Sequence, residues 1–236
     1  MSAIPGFFKN AVVALGVVPV GPQNPQWIGT GFLVGRKDGK NQGKSFVYLV
    51  TNKHVVQGRM KMLMCINRSD NKGVLHLPID IVGQNGKPCY SAHLHQTVDV
   101  VAMELNGPAL ENVHGQINWF DLDDHALTLA KMKSTGVDEG CLVYALGFPM
   151  GIVESALKAP FLRLGCISRI EDAFAGIGDS SFFVDAQTFP GNSGGPIVSR
   201  PESIAIQGTQ CNGSANLIGV LNSYLPYKDY LISRQT

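Results

Sequence analysis

Three side chains in this sequence have the chemistry of acyl transfer when brought together. Ser193 lies in Phe189-Pro190-Gly191-Asn192-Ser193-Gly194-Gly195-Pro196-Ile197-Val198. A serine bracketed by glycines and followed by an apolar segment is a hydroxyl on a tight turn. There Gly191 and its neighbours can aim backbone N–H groups at one point, as an oxyanion requires. Taken alone, the segment also reads as a Gly-Ser-Gly loop between strands. His54 follows the apolar run Leu49-Val50-Thr51, where a turn leaves its ring facing a cleft. A lone histidine is usually structural. Asp99 opens the apolar run Val98-Asp99-Val100-Val101-Ala102-Met103-Glu104-Leu105, and a carboxylate buried there needs a hydrogen-bonding partner such as an imidazole Nδ1. Serine is a weak nucleophile until a base takes its proton, so the three types form one chemical unit of nucleophile, base and orienting carboxylate.

The elements that must position them are short. Apolar segments Ala11-Val18, Gly29-Val34, Phe46-Thr51, Met60-Ile66, Leu75-Val82 and Val98-Leu105 are separated by Gly, Pro, Asn and Asp, which predicts an all-β first half. After a connecting stretch the rhythm resumes with Cys141-Gly147, Phe161-Ile170, Phe182-Ala186, Pro196-Ser199 and Leu217-Ser223. Between the halves, Asp121 to Leu127 reads as a capped helical turn or a loop. With 44% hydrophobic and 16% charged residues, the 236-residue composition is globular and excludes a disordered chain. A net charge of +1 gives no electrostatic footprint for nucleic acid or an anionic lipid surface, so neither is expected as a partner. No apolar run approaches the ~18 residues that a membrane span needs, so no membrane association is expected. Five cysteines without a C-x-x-C pair fit neither a disulfide framework nor a zinc knuckle, and predict a reducing, cytoplasmic compartment.

The chain resembles the trypsin-like (chymotrypsin-fold) serine proteases, and most of all their bacterial HtrA-like branch. The resemblance rests on T-N-K-H-V-V around His54, V-D-V-V-A-M-E-L around Asp99 and P-G-N-S-G-G-P around Ser193, in the family's order. Gly29-Thr30-Gly31-Phe32 resembles the strand before the family's histidine. Ala145 to Pro149 resembles the strand and turn that open its second barrel, and Leu217 to Asn222 the strand that lines its substrate cleft. The resemblance implies one protease domain over residues 1–236: a first six-stranded antiparallel β-barrel at 1–115, a connection at 116–134 and a second barrel at 135–236. It implies a hydrolase, a serine endopeptidase, with a catalytic triad of Ser193 as nucleophile, His54 as general base and acid, and Asp99 as orienting carboxylate. The oxyanion hole would be drawn from Gly191, Asn192 and Ser193. The partner would be a protein or peptide substrate, with no cofactor and no metal. The oligomeric state is left open.

Departures from the family pattern carry further expectations. Asn192 stands where digestive relatives have an aspartate that pairs with a newly cleaved N-terminus, so activity is expected without maturation. Gln187, six residues before Ser193, is expected at the floor of the specificity pocket, with Leu221, Asn222 and Ser223 as its wall. A neutral amide there disfavours Arg and Lys, unless Asp179 or Asp185 swings in. The second barrel's sixth strand must be sought in Lys228 to Arg234, and no PDZ module is expected. The competing functional reading is a catalytically silent protease fold that binds peptides; an esterase or acyltransferase of the same fold shares the acyl-enzyme step. A zinc site at His93 and His95, with Cys89 nearby, lacks an identifiable third close ligand, and Met60, Met62 and Met64 read as exposed-face and packing residues at strand spacing.

Overall fold

The computed structural model describes residues 4–17, 24–39, 45–154, 156–203, 207–210 and 212–223. Among these, thirteen strands form two sheets, and the helices are short. The first half contains α1 (Gly6–Ala11), β1 (Val12–Val17), β2 (Gln26–Lys37), β3 (Ser45–Thr51), α2 (Lys53–Val56), β4 (Lys61–Asn67), β5 (Val74–Asp80), β6 (Ser91–Ala92), β7 (Val101–Leu105) and α3 (Gly107–Asn112). The connection supplies β8 (Phe120–Asp121) and α4 (Leu129–Thr135). The second half contains β9 (Leu142–Gly147), β10 (Phe161–Arg169), α5 (Glu171–Phe174), β11 (Phe183–Ala186), β12 (Pro196–Ser199) and β13 (Leu217–Val220).

The first sheet has the order β5-β4-β1-β2-β3-β7-β6, with β8 added in parallel to β2. Six of its eight strands have five or more residues; β6 and β8 have two each. The two ends of the path meet: a bridge joins Val82 to Pro88, and Cys89 N donates to Ile81 O at 2.9 Å. The sheet therefore curls back on itself and leaves little free edge. The second sheet has five described strands, ordered β11-β10-β9-β12-β13, and forms a half-barrel. The sixth strand expected near Lys228 to Arg234 lies outside the described residues.

The pleat explains why the strands read as unbroken apolar runs. In β1, Val13 and Leu15 face the interior of the first sheet with Leu33, Leu49, Met62 and Met64. Their neighbours Val12 and Ala14 face the other way, with Phe32, Phe120, Leu146, Phe148 and Val198, in a layer shared by both halves. A strand buried on both faces has no polar alternation to show. Met62 and Met64 are core residues, whereas Met60 is exposed. A third cluster of Val143, Ala145, Ile167, Ile197 and Ile218 lines the inner face of the second sheet. The acidic stretch, expected as a helical turn or a loop, is a loop in which the Asp121 carboxylate accepts from Asp123 N at 3.0 Å, and a helix follows later, at α4.

Candidate active site

His54 and Asp99 are brought together by one strand pair. β3 and β7 are antiparallel with Thr51 opposite Val101, so the residues just after Thr51 and just before Val101 emerge at the same end of the sheet. His54 sits on α2, the single turn that follows β3. Asp99 lies two residues ahead of β7 rather than at its first residue. Four donors converge on Asp99, the longest being Lys53 N at 3.4 Å from its carbonyl. Asn52 Nδ2 reaches its carbonyl at 2.8 Å, His54 N reaches Oδ1 at 3.0 Å, and the His54 ring engages Oδ2 through Nδ1 in a short hydrogen bond. An ionised carboxylate only accepts, so Nδ1 carries the hydrogen and Nε2 is left with a lone pair. The His54 side chain is 51% exposed and that of Asp99 24%, so the imidazole is the more open of the pair and the carboxylate the more sheltered.

Ser193 sits on the turn that leads into β12. Two glycines of that turn have no substitute: Gly191 has φ 97° and a Cβ there would lie 2.4 Å from Phe148 O, while Gly194 has φ 84° and a Cβ would lie 2.2 Å from Thr30 O. The same virtual atom on Gly194 is 3.1 Å from Asn52 N, so the serine turn packs directly against the segment that begins α2 and carries His54. Asn192 N is committed to Phe189 O at 3.1 Å, so it is not an available oxyanion donor, contrary to its place in the expected set. Gly191 N and Ser193 N donate to no acceptor among the described residues. Ser193 Oγ forms no hydrogen bond to the imidazole among them either.

Asn192 is buried, at 3% exposure, and its Oδ1 has no partner. A neutral amide there leaves an orphaned acceptor, which is far less costly than an unpaired buried carboxylate. A cavity of about 770 Å³ opens between β11 and β13 and runs to Asp99; Leu221, Asn222 and Ser223 line it as expected of a pocket wall, but neither His54 nor Ser193 does. Gln187 does not line it and is exposed, whereas Ala186 and Thr188 on either side do. The neutral floor expected from Gln187 is therefore not in this cavity. Asp179 and Asp185 line it instead, together with Asp99. Hydrogen bonds from Ser181 and Thr97 hold the Asp179 carboxyl below its ordinary range. His93 and His95 are engaged locally, His95 N donating to His93 Nδ1 at 3.1 Å and His95 Nδ1 meeting Thr97 Oγ1 at 2.8 Å. Among the described residues no three His, Cys, Asp or Glu side chains converge in a way that could hold a metal ion. Asn52 lies within T-N-K-H-V-V and Met150 just past Pro149, but that they hold Asp99 and the serine turn shows only in their tertiary partners.

No curated protein matches the sequence significantly. Solved structures with a similar course include a variant of the HtrA-type protease AlgW with tripeptide, at 16% identity and a TM-score of 0.47, covering 89% of this chain and 56% of that one. The MamO protease domain from Magnetospirillum magneticum, in the apo form, matches at 16% identity and 0.47, covering 89% and 90%. The serine endoprotease from Yersinia pestis matches at 16% and 0.43, covering 89% and 59%. The chain thus spans little more than half the length of the first and third. The family model for the trypsin-like peptidase domain matches residues 29–203, well over half of the sequence and all three motifs. The chain belongs to the trypsin-like peptidase domain family.

Proposed function

We propose that the protein is a serine endopeptidase that cleaves peptide bonds through an acyl-enzyme on Ser193. Ser193 Oγ attacks the acyl carbon while His54 Nε2 takes its proton, and the imidazolium so formed is stabilised by Asp99. Negative charge that develops on the carbonyl oxygen is met by Gly191 N and Ser193 N, the two donors of the turn without an internal acceptor. His54 then gives the proton to the leaving amine, and water, activated by the same imidazole, releases the acyl group. The observation that carries this reading is the doubly anchored His54–Asp99 pair, which fixes the tautomer with Nε2 as base. No metal or cofactor enters these steps, and the neutral Asn192 calls for no N-terminal ammonium. A reducing, cytoplasmic setting suits the cysteine content.

The absence of a Ser193–His54 hydrogen bond favours a second reading, a silent fold that binds peptides without cutting them. Catalytic hydrogen bonds in unliganded enzymes are often long and tighten only around substrate, so this feature is compatible with activity. A fluorophosphonate separates the two readings. An enzyme acquires one adduct, located on Ser193 by mass spectrometry, and hydrolyses peptides from an unbiased library. A wild-type chain that neither labels nor cleaves is a binding module.

A further inference from the structure

Thr30, in the middle of β2, is fully buried in the layer between the two halves, and all its polar atoms are engaged. Its N–H donates to Ser193 O at 2.9 Å and its hydroxyl donates to Gly191 O at 2.7 Å. The hydroxyl oxygen accepts from Phe148 N at 3.0 Å, and the Thr30 carbonyl accepts from Thr51 Oγ1 at 2.7 Å. Because a peptide unit is planar, holding its carbonyl on one side sends its N–H to the other. Four successive peptide units of the serine turn are held in this way. Pro190 O accepts from Met150 N at 2.6 Å, Gly191 O from the Thr30 hydroxyl, Asn192 O from Gly195 N at 2.9 Å, and Ser193 O from Thr30 N. The first and third of these units carry Gly191 N and Ser193 N, the free donors. The second and fourth, which alternate with them, are both held by Thr30.

We propose that Thr30 is a positioning residue for the oxyanion hole: this one first-half residue, through its hydroxyl on Gly191 O and its backbone N–H on Ser193 O, holds the two peptide units that alternate with the donors, and so aims Gly191 N and Ser193 N at the same point. This rests on the reading of Ser193 as nucleophile. Gly191 has no Cβ to resist rotation of its following peptide unit; within the turn that unit is held at one end by Asn192 N on Phe189 O at 3.1 Å, and from outside the turn the Thr30 hydroxyl fixes its carbonyl at 2.7 Å. Loss of that hydroxyl leaves Gly191 O and Phe148 N without partners in a buried layer, and the unit between Gly191 and Asn192 is then held only by Asn192 N on Phe189 O.

The test compares wild type with Thr30→Ser, which keeps the hydroxyl, and Thr30→Val, which keeps the shape and loses it. Each is assayed for kcat and KM on a peptide substrate and for inhibition by a peptide boronate, whose tetrahedral adduct places an oxygen in the hole. Thr30→Val should lose ~10²-fold in kcat and in boronate affinity, with KM within about threefold, as expected for a lost oxyanion donor. Thr30→Ser should stay within about threefold of wild type. If Thr30→Val does not fold, Thr30→Cys takes its place, with a parallel ~10-fold loss in kcat and boronate affinity. A folded Thr30→Val, or Thr30→Cys where Val fails to fold, with wild-type kcat and boronate affinity overturns the role of Thr30 while leaving the peptidase reading intact. An inert, unlabelled wild-type chain overturns both.

Discussion

The two halves of the molecule hold their shares of the candidate site by different means. His54 and Asp99 depend on one antiparallel strand pair within a sheet that closes on itself, and every bond that orients them comes from residues 52–54 and 99. Ser193 leads into β12, yet of the four carbonyls of its turn that are held, two are held by Thr30 from β2 and one by Met150 from the turn after β9. Its half-barrel has one edge strand, β11, with no second neighbour among the described residues, and another, β13, that meets only the 125–127 segment of the connection, through a bridge between Leu217 and Ala126. The base is thus built by the register of one sheet, and the nucleophile by the docking of two. Such a division predicts that damage near His54 acts on chemistry alone, whereas damage near Ser193 acts on chemistry and on the contact between the halves.

The largest effects should come from the reacting groups, whichever half supplies them. Ser193→Ala should fold, because a small side chain still suits the turn, and should lose ~10⁴–10⁶ in kcat. His54→Ala should lose a similar amount, since members of a triad act as one unit. Asp99→Asn keeps the shape but sets an amide donor against Nδ1, so a loss of about 10⁴ is expected with little change in thermal midpoint. Turnover by Asp99→Asn within tenfold of wild type would show that the local anchoring of His54 is structural only.

Glycine substitutions sharpen the contrast. Gly58 follows α2 with φ 75° and open space around it, while Gly191 and Gly194 combine positive φ with atoms closer than 2.5 Å to a virtual Cβ. Gly58→Ala should therefore cost only the left-handed backbone strain, roughly 1 kcal/mol, and leave kcat alone. Gly191→Ala should lose ~10²–10³ in kcat, because the clash with Phe148 O displaces an oxyanion donor. Gly194→Ala should in addition lower the thermal midpoint by forcing Thr30 and Thr51 away. Equal effects at Gly58 and Gly191 in kcat assays would erase the proposed difference between the halves.

What the sequence revealed follows the range of each signal. Every strand of four or more residues falls on an apolar run bounded by turn formers, because burial and turn chemistry are local properties. β6 and β8 were invisible, since two residues carry no period. β8 exists because the first half and the connection meet: Phe120 is buried against Phe8 and Phe32, beside Trp119 packed over Gly35. The triad types were legible because glycines and apolar flanks mark their turns. Gln187 was misplaced because counting back from Ser193 fixes position in the chain but not the side to which a residue past a strand end points. Thr30 lay in a motif already noted for its glycines, but its hydroxyl partner is 161 residues away, and no spacing rule reaches that far.

Specificity should show a smaller effect that belongs to the second half. Asp99, Asp179 and Asp185 line the cavity between β11 and β13, and among the described residues no Lys, Arg or His does. A substrate carboxylate that enters it meets like charge, so Asp or Glu at that subsite should lower kcat/KM by roughly tenfold relative to Ala or Leu, about 1.4 kcal/mol. Lys or Arg should be accepted, contrary to a pocket floored by Gln187. Peptides that differ at one position decide this; a preference for acidic residues contradicts the carboxylate lining.

The smallest effect concerns the lysine that ties the second half into the first. Lys158 is 2% exposed, and its Nζ donates to the carbonyls of Asn10, at 2.9 Å, and Val12, where α1 meets β1. The Asn67 side chain brackets its backbone, accepting from Lys158 N at 2.8 Å and donating to Lys158 O at 3.0 Å. Burial pushes the ammonium down from 10.5 to about 8, with Cys65 opposing, while burial pushes the Cys65 thiol up to about 11. Below pH 8 both the folded and the unfolded lysine are protonated, and the cost of the buried charge is fully present. Between pH 8 and 10.5 the folded protein releases the proton first, so the lysine's contribution becomes more favourable as pH rises. Cys65 acts in the opposite sense from pH 9 to 11, because the unfolded thiol ionises first, and this makes pH 8 to 9 the informative window. Denaturant unfolding of wild type and Lys158→Met should show their stability difference shifting by about 1 kcal/mol in favour of wild type across that unit, with kcat little changed. A difference that stays flat from pH 8 to 9 means that the amine is not titrating inside the fold, and the anchor between the halves is then a hydrogen-bonded ammonium at all pH values of use.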